Sequence, residues 1–372
     1  MTLRHATPRY APIIDALPAA VPFIGPETQE RAAGAPFAAR LGANENGFGP
    51  SPRAISAMSE AATDIWKYGD SESYHLRAAL AAQHEVGAEN ILIGEGIDGL
   101  LGYLVRLFIA QGDAVVTSAG AYPTFNYHVK GFGGVIHTVP YANDHEDPTA
   151  LIAKAVETGA KLIYIANPDN PMGTHHGAQK LQRMIEAVPS GSLLILDEAY
   201  VEFAPEGTSP AIDPNDPRVI RMRTFSKAYA LAGARIGYAL GHADLIGSFD
   251  KIRNHFGINR IAQAGALAAQ ADHAWLARGI AQVARAREEI SRIARMHGLM
   301  PLPSATNFVA LDCGADGAFA KRVLTELSAR GIFVRMPFVA PQDRCIRVSC
   351  GPDAEIKAFA QALPEALRVA RG

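Results

Sequence analysis

Between residues 90 and 240 the chain alternates short, β-branched apolar runs with helix-length segments, and this alternation limits the fold more than any other feature. The runs fall at 91–93, 114–117, 135–139, 161–165, 193–196, 219–223 and 235–240. Most are apolar on both faces, the pattern of strands covered by helices on either side. The segments at 99–109, 125–131, 148–157 and 178–187 have helical length, and 227–231 reads as a turn. An α/β domain on a mostly parallel seven-stranded sheet follows, with its ligand beyond the carboxyl ends of the strands.

The pattern changes after residue 258. An Ala- and Arg-rich stretch without proline, 261–296, predicts one long connecting helix. Beyond it, strand-like runs at 307–311, 332–335 and 345–350 mix with helices at 319–329 and from 354, which predicts a smaller α+β domain. The expected division is an N-terminal segment, 1–44, with no strand of its own and lying against the small domain; a large domain, 45–262; and a small domain, 263–372.

Composition narrows the partners. Lys plus Arg number 35 against 37 Asp plus Glu in 372 residues, a net charge of −2, so no global field draws the protein to nucleic acid or an anionic membrane. Arg4, Arg9, Asp15 and four prolines interrupt the first 25 residues, which therefore lack a secretory apolar core. The long apolar stretch at 100–110 contains Arg106, and no membrane span is expected. Cys313, Cys345 and Cys350 show no metal-ligand spacing; they read as reduced thiols of a cytoplasmic protein that holds no metal.

Four loops place polar residues directly after a buried strand. Gly94-Glu95-Gly96-Ile97-Asp98-Gly99 precedes an apolar helix, and glycines followed by free first-turn amides make an anion cradle, though alone the loop is equally a turn with Asp98 as N-cap. Asn167-Pro168-Asp169-Asn170-Pro171-Met172-Gly173 is an extended turn, stiffened by two prolines, that holds Asn170 still. Asp197 ends a strand, where an acid suits a cationic ligand atom, and Tyr200 lies three residues on. In Arg223-Thr224-Phe225-Ser226-Lys227, with Arg235 eight residues later, neighbouring cations lower the lysine's pKa and free its amine to condense with an aldehyde. Each loop has a bland reading by itself. Together they supply the parts that one common cofactor, pyridoxal 5′-phosphate, requires.

With these loops the chain resembles the fold type I pyridoxal-phosphate aminotransferases of class I/II, whose architecture is aspartate-aminotransferase-like, and most closely their histidinol-phosphate aminotransferase branch. The resemblance rests on Asn44-Glu45-Asn46, Gly49-Pro50-Ser51-Pro52, Tyr122-Pro123-Thr124-Phe125, and the segments 167–173, 197–203, 223–229, 231–238, 307–309, 331–335 and 346–351. It implies that Lys227 bonds the cofactor aldehyde and shuttles a proton, and that Asp197 holds the ring nitrogen protonated. Tyr200 and Asn170 are implied to contact the ring hydroxyl, and Phe125 to stack on the ring face. Gly96, Ile97, Asp98, Thr224, Ser226 and Arg235 are implied to hold the phosphate, joined by Tyr68 of a second subunit in a homodimer with shared sites. Arg347 is implied to grip the substrate α-carboxylate. Phe23 and Arg335 are assigned to the substrate side, Arg335 to a distal phosphate.

Four departures from the family pattern stand out. Ile97-Asp98-Gly99 replaces Ser-Asp-Glu, Gly47 replaces a proline, Phe23 replaces a tyrosine, and Phe256-Gly257-Ile258-Asn259 replaces Phe-Asn-Val-Asn. The activity implied is transamination between the glutamate/2-oxoglutarate pair and an amino donor, most closely histidinol phosphate, which becomes imidazole-acetol phosphate. An aromatic amino-acid aminotransferase and a decarboxylase resembling the threonine-phosphate enzymes are the competing readings.

Overall fold

A computed structural model describes residues 9–19 and 24–372. The strands, in chain order, are β1 (Ala39–Arg40), β2 (Ile91–Gly94), β3 (Ala114–Ser118), β4 (Val135–Val139), β5 (Leu162–Ala166), β6 (Leu193–Asp197), β7 (Val219–Thr224) and β8 (Gly237–Leu240), then β9 (Met300–Pro301), β10 (Phe308–Asp312), β11 (Ile332–Phe333) and β12 (Cys345–Ser349).

Seven of them form one sheet in the order β2-β8-β7-β6-β5-β3-β4. Only β8 runs against its neighbours, pairing antiparallel with β2 and β7. Every residue of β5 and β6 is buried, as two-sided helical cover requires. Apolar clusters lie on the two faces. Leu100, Leu104, Phe125 and Tyr164 belong to one, and Leu151, Ile163, Leu181 and Leu194 to the other. Each large aliphatic side chain buried this way stabilises the fold by roughly 1.5–3 kcal/mol. The helix Pro148–Thr158 illustrates how local chemistry sets boundaries: Asp147 accepts from the amides of Thr149 and Ala150, Pro148 opens the first turn, and Gly159 ends it at φ 62°.

The predicted single helix over 261–296 is two helices, Arg260–Gln270 and His273–Met296. Asp272 separates them because its carboxylate caps the amide of Trp275 while accepting from Ser51, bonds that a continuous helix would lose. A three-stranded antiparallel sheet, β12-β10-β9, follows. The expectation that residues 1–44 hold no strand is corrected. Ala39 and Arg40 pair in parallel with Ile332 and Phe333, which satisfies backbone groups at the edge of the C-terminal part.

Candidate active site

A cavity of about 380 Å³ opens at the carboxyl ends of β5, β6 and β7. Lys227, Asp197, Tyr200, Asn170, Thr224, Ser226, Arg235, Ile97, Asp98, Arg335 and Arg347 all line it, although they are spread over 251 positions of sequence (347 − 97 + 1). Parallel strands explain the convergence, since β5, β6 and β7 deliver their following loops to the same edge.

Asp197, the last residue of β6, is 5% exposed. Its Oδ2 accepts from the Tyr164 hydroxyl at 2.7 Å and its Oδ1 from the Ala199 amide at 3.0 Å. Burial raises its pKa to about 6, against the pull of those two hydrogen bonds. A carboxylate so placed gains most by meeting a cation. Lys227 follows β7, and its Nζ donates to the Asn44 carbonyl at 3.2 Å. Burial first, and then the nearby Arg347, bring its amine down to about 8. That value makes the free base available near neutrality.

The Tyr200 hydroxyl accepts from Asn44 Nδ2 at 3.0 Å. Asn44 is itself held by Ser349, whose hydroxyl donates to its Oδ1 at 2.9 Å, and it sits at φ 55°. Asn44, Tyr164 and Tyr122 are site residues that motif reasoning left without a role. Tyr164 had a readable signal: a tyrosine inside the apolar run Leu162–Ala166 needs a partner for its hydroxyl. Asn44 had none, because its role depends on a left-handed backbone that no neighbour in sequence announces.

The anion cradle is the first turn of the helix Gly96–Phe108. Gly96 has φ 79°, and a Cβ there would lie 2.7 Å from Arg235 Nη2, so glycine lets the guanidinium rest against the loop. Arg235 Nη2 lies 3.7 Å from Asp98 Oδ2, and Asp98 Oδ1 accepts from Tyr122 at 2.9 Å. Thr224 Oγ1 accepts from the Ser226 amide at 3.0 Å, which fixes the turn that leads to Lys227.

One expectation changes here. Phe125 is fully buried and stacks on Tyr164, centroids 4.9 Å apart at 16°, and it is not among the residues that line the cavity. Its helix begins at Pro123, and the third helical residue turns into the core; the aromatic that reaches the cavity is Tyr122, ahead of the helix. Tyr68 is 78% exposed and packs on Phe256 at 4.9 Å, away from this chain's own cavity. Phe23 lies outside the described residues.

On the substrate side, Arg335 and Arg347 face each other across an antiparallel bridge. Arg347 Nη1 donates to Asn170 Oδ1 and Nη2 to the Gly42 carbonyl at 3.4 Å, and the guanidinium lies over Phe308 at 5.1 Å. Arg335 Nη2 donates to the Ile24 carbonyl at 2.7 Å. Burial lowers the pKa of both arginines, so an anion between them relieves a desolvated double positive charge.

Two departures from the family pattern acquire a neighbour. A Cβ at Gly257 would lie 1.6 Å from Glu95 Oε1, the oxygen that accepts from Tyr103 at 3.0 Å. A Cβ at Gly47 would lie 2.8 Å from Pro352 Cδ.

Residues 39–363 match the family model described as aminotransferase class I and II. The chain belongs to the class I and II aminotransferases. Histidinol-phosphate aminotransferase 2 of Nitrosospira multiformis is 33% identical over 336 residues, which cover 90% of this chain and 85% of that one. The corresponding enzyme of an Anaeromyxobacter species is 34% identical over 333 residues, covering 88% and 90%. Histidinol-phosphate aminotransferase from Sinorhizobium meliloti, solved in complex with pyridoxal 5′-phosphate, superposes with a TM-score of 0.95 at 52% identity, covering 98% of this chain and 99% of that one. Aspartate aminotransferase of Thermus thermophilus shares the fold, TM-score 0.82 at 20% identity. This class I/II aminotransferase is accordingly a pyridoxal-phosphate-dependent transaminase with the fold type I architecture. Its residues fit the cofactor: a buried acid for the ring nitrogen, a lysine whose pKa burial brings down to about 8, and a glycine cradle beside Arg235.

Proposed function

We propose that this transaminase moves the amino group between histidinol phosphate and 2-oxoglutarate, giving imidazole-acetol phosphate and glutamate, within histidine biosynthesis. The observation that carries the reading is the pair Arg335 and Arg347, two arginines bridged at the backbone and lining one cavity with Lys227. Glutamate brings an α- and a γ-carboxylate and histidinol phosphate a phosphate, so both half-reactions bring anionic groups to this pair. The histidinol-phosphate aminotransferase names among the relatives support the same assignment.

Pyridoxal phosphate, when bound, supplies an aldehyde for amines and a ring that takes up the electrons of a deprotonated carbon. Lys227 would be the amine that holds that aldehyde, and its free base would carry the proton taken from substrate Cα. Asp197 keeps the ring nitrogen protonated, and Tyr164 holds Asp197 in place. Tyr200 and Asn170 donate to the ring hydroxyl. The Ile97 and Asp98 amides, the Ser226 hydroxyl and Arg235 hold the phosphate, with Thr224 fixing the Ser226 turn. Of the segment Tyr122–Phe125, Tyr122 and not Phe125 is the aromatic that lines the cavity and could meet the ring.

The unit is a homodimer in which Tyr68 reaches the other subunit's phosphate site. The exposed apolar side chains Ile65, Trp66, Tyr68 and Phe256 support a second copy covering this surface. Residues 45–262 form the large domain, 263–372 the small one, and 1–44 a segment on the small domain. Among the described residues no helix is long and apolar enough to cross a membrane. Three free, buried cysteines support a cytoplasmic location.

Arg335→Ala tests the substrate assignment. Turnover of histidinol phosphate should weaken ten- to a hundredfold or more, at roughly 1.5–3 kcal/mol per charge-assisted bond, while phenylalanine as donor is spared. Equal loss toward both donors contradicts it.

A further inference from the structure

Residues 141–146, between β4 and the helix Pro148–Thr158, form a tight hairpin that lines no part of the cavity. Ala142 and His145 pair across it at 2.9 and 3.1 Å, with Asn143 and Asp144 at its tip in left-handed backbone, φ 50° and 61°. Both central residues of a two-residue hairpin of this kind take positive φ, and Asn and Asp are the non-glycine residues that do so at least cost.

What surrounds this tip is the machinery of substrate binding, on two sides. Toward the loop that carries Asn170, the Tyr141 hydroxyl donates to Asp169 Oδ1 at 2.8 Å and the Thr174 hydroxyl to the Asp144 carbonyl at 2.8 Å. Glu146 Oε1 accepts from the Ala166 amide at 2.8 Å, at the end of β5. Toward β12, both carboxylate oxygens of Asp144 accept from Arg344, at 3.1 and 2.8 Å. Arg344 also donates through Nε to Asp312 Oδ2 at 2.7 Å and through Nη1 to the Pro341 carbonyl at 3.0 Å. Asp312 is the residue paired with Cys345 at the start of β12.

The hairpin therefore grips the residue before Asn170 and the residue three before Arg347. Those two meet directly, Arg347 Nη1 on Asn170 Oδ1. An exposed, single-point ion pair would contribute little. Here the geometry is a bidentate fork with a third carboxylate oxygen on Nε, and the three side chains are only 22–23% exposed.

We propose that Asp144 and Arg344 are positioning residues for carboxylate recognition, holding the strand that bears Arg347 in the register at which its guanidinium meets Asn170. The proposal rests on the assignment of Arg347 to the substrate carboxylate. Neither residue touches substrate or cofactor; both act through Arg347.

Steady-state kinetics of the holoenzyme with glutamate test it, using Asp144→Asn, Arg344→Gln, the double variant, and Asp144→Asn in an Arg347→Ala background. In each single variant KM for glutamate should rise about tenfold, with kcat within about twofold and the bound-cofactor absorbance unchanged. The double variant should be no worse than Arg344→Gln, because both changes break one bond. Arg344→Lys, which keeps the charge, should recover part of the loss. In the Arg347→Ala background Asp144→Asn should add nothing. Unchanged KM in both single variants overturns the proposal, as does a further rise in the Arg347→Ala background, and so does a fall in kcat that tracks a lower Tm, since that marks a structural tie alone. Arg347→Ala by itself separates the two readings: if it leaves KM for glutamate unaltered, the assignment of Arg347 fails first and the hairpin proposal with it.

Discussion

Arg347 donates to the side-chain oxygen of Asn170, a residue 177 positions earlier in the chain, and both line the same cavity. The bond orients both partners at once. The side-chain oxygen of Asn170 is thereby engaged, and Arg347 keeps one N–H group on a long contact to Gly42 and another, Nε, without a hydrogen-bond partner. Replacing Arg347 by alanine should cost at least about a hundredfold in kcat/KM for glutamate, from two charge-assisted bonds of about 1.5–3 kcal/mol each. Lysine, a point charge without the fork, should recover only part. A loss under about fivefold contradicts the role.

Lys227 is expected to be indispensable for turnover and dispensable for holding the cofactor. Lys227→Ala should retain pyridoxal phosphate through the cradle and Asp197 yet show no measurable transamination. In wild-type protein stripped of cofactor, recombination with pyridoxal phosphate should speed up as the pH rises through about 8, the value to which burial brings the amine. A rate flat from pH 6 to 9 contradicts that picture.

Tyr164→Phe removes one of the two hydrogen bonds to Asp197 and leaves the ring packing intact. The carboxyl pKa should climb further above 6, because the lost bond is one of those opposing burial. We expect kcat to fall by roughly tenfold, in line with one hydrogen bond to a charged group, while KM for glutamate holds. Rates equal to wild type would show that Asp197 needs no support from β5.

The sheet was legible in the sequence because buried parallel strands cannot alternate polar and apolar residues. Predicted and observed strands agree within about two residues, and 135–139 coincides with β4. Arg235 was read as strand and is not: it sits at φ 54° just before β8, a conformation that aims its guanidinium at the cradle. The four loops were legible since a polar residue after an apolar run stands out. Phe125 was not, because a motif names a residue and leaves open which side of its helix faces the ligand. Likewise β1 was hidden: two residues gain their strand only from Ile332 and Phe333, nearly 300 positions away.

The acid limb of stability should carry the signature of His84, whose Nε2 lies 2.9 Å from the Tyr238 hydroxyl. Burial, aided by Arg223, brings this imidazole down to about 4. Between pH 6.5 and 4 the unfolded chain binds a proton that the folded protein resists, so stability falls as the pH drops through that window. At about 1.4 kcal/mol per unit, reduced for the ring's partial exposure, the loss comes to about 2 kcal/mol near pH 4. Urea unfolding of His84→Gln should show its gap from wild type narrowing by that amount between pH 7 and pH 4. A constant gap contradicts the assignment.

Light scattering should give twice the 39.6 kDa chain mass at working concentration. A fully active monomer contradicts the shared site, and Tyr68→Phe should then leave cofactor affinity unchanged.

The most direct measurement is a panel of amino donors, with glutamate formation from 2-oxoglutarate and carbon dioxide release followed together. Histidinol phosphate should give kcat/KM at least tenfold above phenylalanine and tyrosine and one glutamate per turnover, and the carboxylate-bearing donors of the panel should release no carbon dioxide. Phenylalanine or tyrosine as the better donor, or carbon dioxide released with the cofactor returned to its aldehyde form, would contradict the account.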